Sequence, residues 1–247
     1  MYEGICHKYT LLFILVCLNL LYGILRLSCG YNHKNRTFLL TSGPSGPKVE
    51  PMTLGRPLAY DPDKALNAAM QVFWSQGYEA TTLQDLLQAM GLSKSSFYQA
   101  FSGKKELFLR CISLYREKIS QGLAELLENS VSGRDFIERM LLNSAAEARR
   151  TIDMRRGCLL MNTATECAQK DRDIAERVSS GFAGLKELLI QAVRRGQTEG
   201  EITRAVAAEV LAGYLISSLG GIKTVVKGGA DEQRVCDIVA VILRALD

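Results

Sequence analysis

An all-α protein in two helical parts is what this chain of 247 residues predicts, and three observations carry that expectation. All five prolines fall between Pro44 and Pro62, so residues 63–247 run without the commonest interrupter of helices. Aromatic content is modest at 7%. Apolar side chains recur at helical spacing along most of that run, between breaks marked by glycine. The length allows one large or two small domains with a substantial core. With 47% apolar residues and 30 basic against 26 acidic side chains, the composition excludes collagen-like and wholly disordered classes. A net charge of +4 does not make the molecule a polycation, so any nucleic-acid binding must rest on a local patch. Seven cysteines, an odd number with no CxxC pair, indicate neither a disulfide framework nor a zinc site.

The first elements divide the chain unevenly. Residues 1–54 read as an N-terminal extension that holds both histidines and three of the cysteines. Leu11 to Leu25 is apolar except for Asn19 and Gly23, shorter than the roughly 20 residues a membrane span needs and closer to a signal-peptide core. Thr41 to Lys48 reads as a flexible linker. Met52 opens a self-consistent soluble protein, which favours reading the extension as an over-extended frame. Membrane association is expected only if residues 11–25 are expressed.

Asp61-Pro62 is a helix start, with Asp as N-cap and Pro at the first position. Ala65, Leu66, Ala69, Val72 and Phe73 follow at helical spacing, and Gly77 supplies the stop. Thr82-Leu-Gln-Asp85 resembles a capping box and opens a short second helix that ends at Gly91. Ser93 starts a third, Lys94 to Phe101. Two short helices across a tight glycine turn form a helix-turn-helix arrangement over residues 82–101. At about 100° per residue, Phe97 and Phe101 fall on one side of the third helix, with Ser95 and Gln99 opposite. Ser96, Tyr98 and Lys94 flank that second face. Its hydroxyls, amide and ammonium suit a DNA major groove and its phosphates.

Residues Gly55-Arg-Pro57, Phe73-Trp-x-x-Gly-Tyr78, Thr81-Thr-Leu83, Met90-Gly-Leu-Ser93, Phe97-Tyr-x-x-Phe101 and Lys104-Lys-Glu-Leu-Phe108 extend the match in type and spacing. This composite resembles the DNA-binding domain of TetR-family transcriptional regulators. The resemblance implies a helix-turn-helix domain at 55–103, a helical effector-binding and dimerisation domain at 104–247, and a homodimer on near-palindromic double-stranded operator DNA. It also implies a cytoplasmic repressor released by a small-molecule effector, with no cofactor and no metal. By the same resemblance Arg56 reaches the minor groove or phosphates, and Thr82, Lys94, Tyr98 and Lys104 contact phosphates. Ser95, Ser96 and Gln99 then read bases.

Beyond residue 104 a long fourth helix is expected to about Asn129, then helices at 134–150, 157–169, 171–195, 203–227 and 232–246. The last two carry small and apolar residues over much of their surface, and the resemblance makes them the dimer interface. Cys158 follows Arg155 and Arg156 at an expected helix start, conditions that favour a thiolate, so it is the candidate for electrophile or redox sensing. A buried structural thiol is the competing reading. An enzyme is not expected: from Met52 onward there is no histidine, GxSxG, Walker A or HExxH motif. A helical protein-interaction module is the other alternative, and it leaves the polar face of the third helix without a purpose.

Overall fold

The computed structural model describes residues 60–247, all within one compact unit, Leu58–Asp247. The expectations for residues 1–54 and for Arg56 lie outside the described residues. Helix α1 (Pro62–Gln76) starts where Asp61 Oδ1 accepts the N–H groups of Asp63 and Lys64 at 3.1 and 3.2 Å, and it ends at Gly77. Helix α2 (Leu83–Met90) begins in a full capping box, and α3 (Lys94–Ala100) begins at Ser93, whose hydroxyl accepts Ser96 N–H at 3.2 Å. These starts need only partners within three residues, which is why they were legible. Helix α4 (Lys104–Glu128) follows, then α5 (Gly133–Ala146), α6 (Leu159–Glu166), α7 (Arg172–Glu199), α8 (Ala208–Lys227) and α9 (Glu232–Arg244).

Two hydrophobic clusters organise these helices. The first joins Ala69, Phe73, Leu86, Phe97 and Phe101 to Leu107, Phe108, Ile112 and Tyr115 of α4, then to Leu159, Leu160, Ile174 and Val178. The second packs Phe136, Ile137 and Leu141 of α5 against Leu189 and Val193 of α7, Leu215 and Ile222 of α8, and Val235 and Val239 of α9. Helix α4 is shared: its early apolar residues serve the first cluster, while Leu123, Leu126 and Leu127 pack on the second.

Several boundaries differ from the expected ones. The segment expected at 134–150 ends as a helix at Ala146 and continues as a 3-10 turn, Glu147–Arg149. Helix α6 is shorter than the expected 157–169. Helix α7 runs past residue 195 to Glu199, because Gly196 is buried inside it and Gly200 is the stop. A Cβ on Gly196 would lie 2.6 Å from Ile202 Cδ1, so that glycine permits close packing rather than ending the helix. Helix α8 begins at Ala208 rather than 203; Gln197 Nε2 instead holds the preceding loop through Thr203 O (2.8 Å) and Val206 O (2.9 Å). By length and composition α8 also passes as a membrane span, yet seven of its residues are buried against protein.

Candidate nucleic-acid interface

Helix α3 is held from one side only. Phe97 is fully buried and Phe101 nearly so, with ring centroids 5.7 Å apart, while the opposite face is open. Lys94, Ser95 and Gln99 are exposed on that face, and Ser96 is half-buried. Tyr98 is 51% exposed, with its ring edge-on to Phe97 at 5.2 Å. An aromatic ring braced at its base with its hydroxyl end in water is a stiff contact group. At the start of α3, the Ser93 hydroxyl lies 2.9 Å from those of both Ser95 and Ser96. Five of the eight expected DNA-contact residues therefore lie on one seven-residue helix.

Thr82 and Lys104, the two other expected contact residues within the described part, each have a structural duty. The Thr82 hydroxyl donates to Asp85 Oδ2 at 2.7 Å and accepts Asp85 N–H at 3.2 Å, closing the capping box. Asp85 Oδ2 also accepts the Thr82 N–H at 2.9 Å, and the two bonds it accepts, the one from the hydroxyl foremost, hold the Asp85 carboxyl below the usual carboxylate range. Lys104 Nζ donates to Glu79 O at 3.3 Å and sits 4.6 Å from the centroid of the Tyr78 ring. Its ammonium is thus anchored at the turn between α1 and α2.

Sequence reading missed the residues that tie this head to the helices behind it. Glu166, at the end of α6, accepts the backbone N–H groups of Tyr78 and Glu79. Lys105 Nζ lies 2.8 Å from Asp171 and 2.6 Å from Asp173, and their hydrogen bonds raise its pKa. At the other end of α6, Trp74 Nε1 donates to Gly157 O at 3.2 Å, and Arg156 reaches Gln71 Oε1 at 2.6 Å. These partners lie more than sixty residues apart in the chain, so no local pattern announces them.

Cys158 does stand at the start of α6, half-buried and without a disulfide. The two arginines before it are committed elsewhere. Arg155 donates to the carbonyls of Ala148, Arg150 (2.8 Å) and Ala230 (2.9 Å), and Arg156 goes to Gln71 and Trp74. Burial, foremost, and the neighbouring Cys158 push the Tyr115 hydroxyl well above its ordinary pKa. Cys111 and Cys167 are buried; burial raises the first thiol and lifts the second to about 11.

The outer surface of α8 and α9 carries apolar groups that the fold does not cover. Val210 and Val241 are each 62% exposed and Tyr214 is 38% exposed. Arg234, Asp237, Ile238, Val241 and Ile242 line a shallow open depression on α9.

Residues 65–111 match the model of bacterial regulatory proteins of the tetR family, and residues 138–238 match a tetracyclin repressor-like C-terminal domain. The HTH-type transcriptional regulator YezE of Bacillus subtilis (strain 168) is 30% identical over 195 residues, covering 78% of this chain and all of that protein. The chain belongs to the tetR family. The HTH-type transcriptional repressor ComR of Escherichia coli (strain K12) is also 30% identical, covering 77% of this chain and 90% of its own length. Among solved structures, the TetR-family regulator CifR, a cysteine mutant bound to 26-bp operator DNA, superposes with a TM-score of 0.69 at 28% identity. That likeness covers 78% of this chain and all of CifR. As a member of the tetR family, the protein is a helix-turn-helix transcriptional regulator, and α2 and α3 form its helix-turn-helix.

Proposed function

We propose that this tetR-family regulator is a cytoplasmic, non-catalytic repressor that binds a near-palindromic operator as a homodimer and leaves it when a small-molecule effector binds. The observation that carries the reading is the α3 face: Lys94, Ser95, Tyr98 and Gln99 stand exposed on a helix pinned by buried Phe97 and Phe101. Ser95, Ser96 and Gln99 read base edges, since hydroxyls accept or donate to either base type and a Gln amide pairs with adenine. Lys94, Tyr98 and Lys104 hold phosphates, as does Thr82 through the helix start it caps; Arg56 supplies an arm contact. Residues 55–103 act as the DNA head, and residues 104–247 bind the effector and the second subunit. The exposed Val210, Tyr214 and Val241 support α8 and α9 as the surface that the partner copy covers, because large apolar side chains left in water gain from being buried. Two copies then present two α3 helices to grooves roughly 34–36 Å apart. The repressor named ComR and the operator complex of CifR support the same reading.

The test is selection of duplexes from a random pool with the full chain, followed by binding at two salt concentrations and mass measurement of the complex. One inverted-repeat sequence is expected, bound by two copies, with affinity falling steeply as salt rises. A monomer, or a pool from which nothing is enriched, overturns the proposal.

A further inference from the structure

At the junction of α6 with the turn between α1 and α2, one side chain grips the DNA head from behind. Glu166 accepts the Tyr78 N–H through Oε2 at 3.0 Å and the Glu79 N–H through Oε1 at 2.8 Å, from 88 and 87 residues away. Because each oxygen takes its own amide, the carboxylate fixes both the position and the rotation of the turn. Gly77 makes the approach possible: a Cβ there would stand 2.9 Å from both oxygens, and its φ of 87° favours glycine. The gripped turn is stiff on its own account, with Thr81 Oγ1 donating to Gly77 O at 2.6 Å and Lys104 bonded to Glu79 O. It leads straight into Thr82 and the helix-turn-helix.

Helix α6 also packs on the C-terminal helices, although its Leu159 and Leu160 belong to the cluster shared with the head. Leu160 fills the space beside Gly181 of α7, and a Cβ on Gly220 of α8 would lie 3.6 Å from the Met161 sulfur. A displacement of α6 relative to α7 or α8 therefore bears on the head, at α1 through Gly157 and Arg156 and at the turn before the helix-turn-helix through Glu166. The Lys105 pairs with Asp171 and Asp173 run alongside as partly exposed ion pairs; they hold α4 to the start of α7 and do not touch the turn that Glu166 grips.

We propose that Glu166 is a positioning residue for operator binding, one that fixes the tilt of the head on the C-terminal helices and thereby sets the half-site spacing that the dimer accepts. The proposal rests on the dimeric DNA-binding reading given above. Its test uses the full chain, wild type and Glu166→Gln, on the selected operator, on versions with one base pair added or removed at the centre, and on a version with one half-site scrambled. A glutamine keeps one acceptor but turns an amino group toward the second N–H. The wild type is expected to lose affinity sharply when the spacing changes. Glu166→Gln is expected to bind the native spacing about tenfold more weakly, the scale of one lost hydrogen bond to a charged group. Its spacing profile flattens, while binding to the scrambled duplex stays as in the wild type. Hydrogen exchange at Tyr78 and Glu79 should quicken with the melting temperature little changed. Gly77→Ala should reproduce the flattened profile and add little to Glu166→Gln. A profile as steep as the wild type overturns the proposal. So does an equal loss on the intact and scrambled duplexes, which would make Glu166 only a stabiliser of the head. A wild type that binds no duplex refutes the DNA-binding reading instead and takes the spacing claim down with it, whatever the exchange of the two amides shows.

Discussion

The two hydrophobic clusters are built from different materials. Around the helix-turn-helix, aromatic rings interlock: Phe73 and Phe108 have centroids 4.8 Å apart, Tyr78 and Phe108 4.7 Å, and Trp74 and Tyr115 5.1 Å. In the C-terminal cluster Phe136 is the one aromatic among the described buried residues, and the rest is Leu, Ile, Val, Met and Ala. A head of three helices has little interior volume, so a few large rings with tilted geometries occupy much of it and fix α3. The longer C-terminal helices instead approach one another closely over small residues such as Ala192 and Ala212, both fully buried. Shape lodged in a few side chains orders the first region; close backbone approach orders the second.

That contrast breaks first at Phe97. Phe97→Ala should destabilise the head by about 3–5 kcal/mol, the range for emptying a buried aromatic site. Duplex binding disappears while light scattering still reports a dimer; loss of the dimer would show that the two clusters are not separable in this way. Next is Gly133, where a Cβ would stand 2.0 Å from Ala192 O and 2.5 Å from Gly196 N. Gly133→Ala should lower C-terminal stability by roughly 1–3 kcal/mol in urea titration, as overpacking does. An unchanged midpoint would mean that close backbone approach does not order that region. Gln99→Ala should leave both clusters intact and cut discrimination between adenine-containing and substituted operators by about 1–3 kcal/mol. Equal weakening on every duplex would move base reading to another residue.

The smallest effect concerns the α2 cap. Thr82→Ala should cost about 1 kcal/mol of head stability, as N-cap truncations do. It also bears on pH. The folded Asp85 carboxyl is held below its ordinary value of 3.8, so its stabilisation is complete above that value and is lost as pH falls through the lower folded one. Thermal melts of Thr82→Ala should accordingly show less acid sensitivity than the wild type below about pH 4.

The head was readable because its signals are local. Asp61, Thr82 and Ser93 each bond to amides two or three residues ahead, and Phe97 and Phe101 share a face by simple helical spacing. The polar face of α3 could therefore be drawn before any coordinates. Behind it, local logic fails. Gly196 looks like a stop, yet it lies buried inside the last turn of α7, where Ile202 packs against its missing side chain. Ala207 and Ala208 carry no capping group, so the start of α8 was invisible. Glu166 reads as an ordinary exposed carboxylate until the fold brings Tyr78 and Glu79 to it.

Helix α4, divided between the two clusters, limits how regulators of this kind can be recombined. A chimera cut at the short turn before Lys104 would seat foreign rings against Leu107, Phe108, Ile112 and Tyr115, which pack with Phe73, Phe97 and Phe101 of their own head. Transplanting a working reader means carrying those opening turns of α4 along, and then matching Leu159, Leu160 and Ile174 on the recipient side. The seam at which the parts can be exchanged falls in the middle of a helix, not at the loop where the chain bends.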